Sequence, residues 1–369
     1  MKLSKNGIIA ISKRLIRGWL KPLAGLFVLL AMFAIYLLLD RDTLPSPVAE
    51  ETTKGGWYGV YFSQPDIPGS SNLHGGPDSD LAQAIDEARY SVDVAVMRLD
   101  LWSLRDALLD ADRRGVNIRI VVESDYLQEL EIQDLISAGI PVIADRRESL
   151  MHYKFTIIDK LDVWSGSMNY TISGAYRNDN NLIHIRSNKL AQSYTREFEE
   201  MFMDDRFGAL SEADTPYACV DINGTEVEVY FSPDDHVLQR ILSLVTAAEE
   251  SIEFLAFAFT SDPLAEALIA RAADGIRVRG VIERGQVNNS GSDVGQLVLA
   301  GLDLRLDANQ NKMHHKVILI DGEIVVTGSY NFSRNAEEKN DENVLILHSD
   351  EIAQQYLLEF ERIYRAASK

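Results

Sequence analysis

Two stretches of this sequence carry the same reactive side chains at the same spacing. MHYKFTIIDKLDVWSGSMN supplies His152, Lys154, Asp159, Gly166, Ser167 and Asn169, and MHHKVILIDGEIVVTGSYN supplies His314, Lys316, Asp321, Gly328, Ser329 and Asn331. Both read His-x-Lys-x4-Asp-x6-Gly-Ser-x-Asn. Alternate residues of a strand share a face, so each histidine stands beside its lysine and each serine beside its asparagine. Each copy can therefore offer an imidazole, an ammonium, an amide and a hydroxyl to one point. Asp159 and Asp321 fall at odd spacing, where the strand turns, and Asp321-Gly322 is a hairpin signal. These aspartates are expected to brace turns rather than touch a ligand.

Two such sets around one pocket suit a phosphodiester. Lysine and amide donors can hold its nonbridging oxygens and stabilise the negative charge that grows in the transition state. A metal site is the competing reading of any His/Asp cluster. Here a lysine on the face of each histidine opposes a bound cation, and no Cys/His ligand spacing occurs. No catalytic metal and no cofactor are expected. His74, His184, His236, His315 and His348 read as surface or supporting residues, and strand parity turns His315 away from His314.

The paired motif resembles the defining signature of the phospholipase D superfamily, whose members cut or exchange phosphodiester bonds. The resemblance covers nearly the whole chain after residue 57. It implies that one motif histidine attacks phosphorus while the other protonates the leaving oxygen and then deprotonates the incoming water. It also implies an acidic residue twenty-eight positions past each motif histidine, orienting the histidine of its own motif. Glu342 in NDENVLIL fits, whereas Asn180 in NDNNLIHI departs. On that pairing His314 would rest protonated as the acid and His152 neutral as the nucleophile, unless Asp179 substitutes for the missing carboxylate.

The elements that must position these residues are themselves duplicated. VYFSQPD (60–66) matches VYFSPDD (229–235), and residues 84–124 match residues 247–284. Each copy reads as helix, alternating strand, amphipathic helix, a glycine stop (Gly115, Gly275) and a further strand. Strands alternating with crossover helices predict an α/β fold of helix-flanked sheets. We expect two similar lobes, 58–207 and 226–369, joined through 208–225, with the motifs meeting at a pseudo-twofold seam. Residues 67–79, IPGSSNLHGGPDS, lack a counterpart in the second copy and read as a solvated loop.

Residues 1–41 differ in kind. Lys2, Lys5, Lys13, Arg14, Arg17 and Lys21 precede the uncharged run 22–39, PLAGLFVLLAMFAIYLLL. Its length is at the short end for a bilayer span, and no small-residue cleavage site follows it. The expectation is one uncleaved transmembrane helix, with residues 42–57 a linker. The basic flank places the N-terminus in the cytoplasm and the body outside it, in a single-pass cell-membrane protein. The lone Cys219 can form no internal disulfide. The chain carries a net charge of −20, and residues after 41 hold 29 basic against 55 acidic groups. Such a body repels polyanions. Anchor and charge together favour a phospholipid substrate at the membrane, with nucleic acid the alternative substrate and no protein partner expected.

Overall fold

Runs such as SVDVAV and NIRIVV, dense in β-branched residues and bounded by helix-stop glycines, form the central strands of each repeat. The structure is a computed structural model and describes residues 56–65 and 68–368. The apolar run 22–39 and most of the linker therefore lie outside the described residues. Among the described residues no helix is long and apolar enough to cross a membrane.

The first repeat contributes β1 (Tyr58–Phe62), α1 (Pro68–Ser71), α2 (Pro77–Glu87), β2 (Ser91–Val96), α3 (Trp102–Arg113), β3 (Asn117–Val122) and α4 (Leu130–Ser137). It continues with β4 (Val142–Ala144), β5 (Lys154–Ile158), β6 (Asp162–Gly166), α5 (Ile172–Tyr176), β7 (Asn181–Arg186) and α6 (Asn188–Asp204). The second begins with β8 (Cys219–Ile222), β9 (Thr225–Ser232), α7 (Val237–Ala247), β10 (Ser251–Ala256), β11 (Phe259–Thr260), α8 (Asp262–Ala273) and β12 (Arg277–Ile282). It ends with α9 (Val294–Leu299), β13 (Asp303–Leu306), β14 (Lys316–Ile320), β15 (Ile324–Gly328), β16 (Phe332–Ser333), α10 (Arg334–Glu338), β17 (Glu342–His348) and α11 (Asp350–Ala366).

The first sheet runs β1-β7-β6-β5-β2-β3-β4. The second, read from its other edge, runs β8-β9-β17-β15-β14-β10-β12-β13, the same order with one added edge strand. In each sheet a parallel trio (β2, β3, β4; β10, β12, β13) continues into antiparallel strands. The added strand, β8, lies inside the stretch read from sequence as a connector, and α2 starts inside the stretch read as a loop.

The two sheets share one core. Tyr153, Phe155, Tyr194 and Phe198 of the first repeat pack with Phe231, Val317, Tyr356 and Phe360 of the second. The long helices α6 and α11 supply half of these side chains, so each helix is buried by both repeats. Ser187 and Ser349 cap these helices through their side-chain oxygens. Separate clusters fill the outer faces, under α2 and α3 in one repeat and α7 and α8 in the other. The motif glycines permit a close approach between neighbouring strands within each sheet. A Cβ on Gly166 would stand 2.4 Å from the Asn181 carbonyl oxygen, and one on Gly328 would stand 2.1 Å from that of Asn343. Their φ values of +152° and +151° are a second reason that only glycine suits.

Candidate active site

Each motif histidine sits just before a strand, and its backbone is held from both repeats. The His152 N–H donates to the Asp341 carbonyl (3.0 Å), and the His314 N–H donates to the Asp179 carbonyl (2.8 Å). Residues preceding the histidines are fixed by buried carboxylates. Glu123 accepts from the Met151 N–H (2.7 Å) and Glu283 from the Met313 N–H (2.8 Å). Burial pushes both carboxyls upward in pKa. Sequence reasoning passed over this pair, although VVES and VIER, each ending a strand, place a glutamate at the same point of both repeats.

The crossed backbone contacts decide which acidic position meets which histidine. Glu342 Oε2 lies 2.6 Å from Nδ1 of His152, in the other repeat. His314 Nδ1 instead faces Asn180 Oδ1 at 3.0 Å and the Ser167 carbonyl at 3.2 Å. This corrects the expectation that the residue twenty-eight positions on orients the histidine of its own motif. The physical reason is topological: the segments entering β7 and β17 end at the seam, where each pairs with the opposite motif through the Met151–Asp341 and Asp179–Met313 bridges. Nor does Asp179 stand in for a carboxylate at His314. Its side chain engages Arg362 and Asn309.

These partners fix the imidazole tautomers. A main-chain carbonyl only accepts, so Nδ1 of His314 carries a proton, and the Asn180 amide nitrogen is turned away to donate to the Gly174 carbonyl. The Glu342 carboxylate likewise accepts a hydrogen bond from the Nδ1–H of His152. Among the described residues neither Nε2 has a hydrogen-bond partner. Burial lowers the pKa of His152, opposed by the Glu342 charge. Burial and the charges of Lys316 and Lys154 hold His314 well below the usual histidine range. Both rings therefore rest neutral, each with an Nε2 lone pair.

The lysines are buried to the same degree. The Lys154 ammonium donates to the His152 carbonyl (2.5 Å), and that of Lys316 to the His314 carbonyl (2.8 Å). Burial lowers Lys154 to about 7 and holds Lys316 well below the ordinary lysine range. An arriving anion reverses that penalty. Among the described residues the side-chain amides of Asn169 and Asn331 have no hydrogen-bond partner, so their Nδ2 donors are available to a ligand.

Other motif residues do not converge on the pocket. The Ser167 hydroxyl donates to Asn180 Oδ1 (2.9 Å) and accepts from the Asn181 N–H, and the Ser329 hydroxyl accepts from the Asn343 N–H (3.0 Å). Both hydroxyls thus tie the motif to the next strand, against the expectation that they face a ligand. Asp159 accepts from the backbone N–H groups of Arg89, Tyr90 and Ser91, and Asp321 from those of Glu249, Glu250 and Ser251. His315 is fully buried on the far side of its strand, between Asn181 and Glu359.

The chain is 37% identical over 131 residues to a mitochondrial cardiolipin hydrolase of Xenopus tropicalis, a match covering 36% of this chain and 62% of that protein. It is 33% identical over 141 residues to a phospholipase D of Rickettsia conorii, covering 38% of this chain and 70% of that one. The chain spans less than two thirds of the length of the vertebrate cardiolipin hydrolases it matches. A phosphatidylserine synthase structure from Haemophilus influenzae shares the fold, with a TM-score of 0.63 at 12% identity over 84% of this chain and 87% of that one. The family model described as cardiolipin synthase, PLD-like domain, matches residues 81–202 and 241–364, once in each repeat, and the chain belongs to that phospholipase D-like family.

Proposed function

We propose that the chain is a phosphodiesterase that hydrolyses phospholipids through a covalent phosphohistidine on His152. The observation that carries this reading is the unequal support of two otherwise similar imidazoles: a carboxylate on His152, only neutral acceptors on His314. A cation forms on the imidazole whose Nε2 bonds phosphorus, and Glu342 stabilises that cation. A bound phosphodiester anion raises the pKa of the neighbouring His314, which then carries a proton on Nε2. His152 Nε2 bonds to phosphorus as the bond to the head-group oxygen breaks, and His314 gives that oxygen its proton. Water then attacks phosphorus, returns a proton to His314, and releases His152. The products are phosphatidate and the free alcohol; an alcohol in place of water gives transfer. Lys154, Lys316 and the amides of Asn169 and Asn331 hold the nonbridging oxygens.

The phospholipid assignment draws on the names of the sequence relatives, the apolar run 22–39 and the acidic body. On this reading the protein acts at the cell membrane, and the basic flank argues for residues 1–21 on the cytoplasmic side and the body outside. Protease added to intact cells, after permeabilising any outer membrane, should digest the body, and full protection would reverse that topology.

The decisive assay offers the full chain phospholipid vesicles and, separately, single- and double-stranded DNA. Phosphatidate should appear and the DNA remain intact. DNA cleavage without phosphatidate would replace this reading with a nuclease. Turnover quenched in denaturant at alkaline pH, where a phosphorus–nitrogen bond survives, should trap the adduct on His152. An adduct on His314 would exchange the two roles, and inversion at a chiral phosphorus would discard the two-step route.

A further inference from the structure

The two sides of the catalytic pocket differ in one feature that the motifs do not contain. The ring of Phe257 packs edge-on against the His314 imidazole, with centroids 4.6 Å apart. The Lys316 ammonium lies 4.8 Å from the same ring centroid, and the Lys312 ammonium 5.5 Å. Lys312 is exposed, so its charge stands at the rim of the pocket, above the buried pair. The equivalent positions of the first repeat carry Met97 and Leu150. The equivalence is fixed by matching backbone bonds: Met97 to Tyr153 and Phe257 to His315, Asp341 to Leu150 and Asp179 to Lys312. The His152 side of the pocket is thus apolar where the His314 side is cationic.

In-line displacement gives these sides different tasks. The nucleophile approaches phosphorus opposite the departing oxygen, so the head-group alcohol lies toward the histidine that protonates it. We infer that Lys312, seated on Phe257, selects substrates whose leaving alcohol itself carries an anionic phosphate, as in a phospholipid dimer such as cardiolipin. This assignment rests on the phospholipid reading above and on His314 as the acid. A choline or ethanolamine leaving group would bring a cation to the same rim and be disfavoured.

The test uses the full chain in neutral detergent micelles containing cardiolipin, phosphatidylglycerol or phosphatidylcholine. Phosphatidylglycerol is the key control: it is an anionic lipid whose leaving alcohol, glycerol, is neutral. The readout is the ratio of kcat/KM for cardiolipin to that for phosphatidylglycerol. Lys312→Gln should lower it about 5-fold, the upper end for one solvent-exposed ion pair. Lys312→Glu should lower it further, and Lys312→Arg should restore it. Circular dichroism and the thermal midpoint should match the unaltered chain, since Lys312 is at the surface. A ratio that stays within two-fold in the Gln and Glu variants overturns the assignment while leaving the phospholipid reading intact. Equal losses on cardiolipin and phosphatidylglycerol would reveal general attraction to anionic surfaces and overturn it too. If the unaltered chain hydrolyses none of these lipids, the phospholipid reading falls and this assignment with it.

Discussion

Glu342 belongs to the second repeat, yet its carboxylate lies 2.6 Å from Nδ1 of His152 in the first. The two repeats therefore complete one another's site, and the first repeat alone lacks the carboxylate that supports the histidine proposed as nucleophile. Glu342→Gln keeps the shape and removes the charge. Its amide can also donate, which favours the wrong tautomer and occupies the orientation that frees Nε2. We expect kcat to fall by about 10²- to 10⁴-fold, the range for a lost imidazole-orienting carboxylate or misdirected base. Rapid-quench measurements should show slower formation of the adduct on His152. A loss smaller than about 3-fold would sink the assignment of Glu342 as its support.

With His314 as the proposed acid, Asn180 should set the pH range over which it works. His314 is held neutral in the free protein by burial and by Lys316 and Lys154, yet it must carry a proton to release the alcohol. kcat/KM should therefore decline as pH rises through a low His314 pKa. Asn180→Asp places a carboxylate 3.0 Å from Nδ1 and favours the imidazolium. The alkaline limb of the profile should move upward by about one to three pH units. An unmoved limb, measured on an ester with a poor leaving group, would show that His314 is not the acid.

Strand parity alone placed His152 with Lys154 and His314 with Lys316, and put Asp159 and Asp321 at turns. The glycine stops Gly115 and Gly275 were also legible, since each takes a φ near +90° that other residues avoid (+87° and +94°). What the sequence concealed was the crossing at the seam. Spacing along the chain tells which strand a residue enters, and β17 could be named from NVLIL. It does not tell which strand of the other repeat lies beside that entry, a matter settled by the shared core under α6 and α11. The Ser167 hydroxyl was misjudged for a related reason. Its parity is right, but Asn180 and Asn181 return beside it and take its hydrogen bonds. Cys219–Ile222 is too short for its alternation to stand out from a connector.

Asp321 provides a separation of structure from chemistry within the motif. Its carboxylate receives three backbone N–H groups, from Glu249, Glu250 and Ser251, in the turn between α7 and β10. Asp321→Ala should cost roughly 1–3 kcal/mol of unfolding free energy, the scale for losing an acceptor shared by several donors. The lost stability should be present above the unfolded carboxyl pKa near 4 and disappear as pH falls through the lowered folded value. Urea denaturation at pH 7 and pH 3 measures both. A collapse of kcat with unaltered stability would contradict the turn-bracing role.

Turnover should survive chelation, because the buried ammonium groups of Lys154 and Lys316 take the electrostatic role that a divalent ion plays elsewhere. The measurement is phosphatidate release after dialysis against EDTA. Loss of activity that returns on adding a divalent ion would require a metal in the reaction.

The same lysines predict how anion binding depends on pH. A phosphate-like inhibitor such as tungstate needs the ammonium form of Lys154, which burial has brought down to about 7. Below that value the charge is already present, and the Lys154 contribution to affinity should not vary with pH. Above it the free protein must take up a proton to bind, so the inhibition constant should rise about tenfold per pH unit. Lys154→Gln should remove this break and weaken inhibition at pH 6, where the unaltered chain binds best. Lys316, also displaced well below the ordinary lysine range, adds to the slope wherever its own proton is lost. A flat inhibition constant between pH 6 and pH 9 would show that neither lysine changes charge there, and that the pocket keeps both ammonium groups without an anion present.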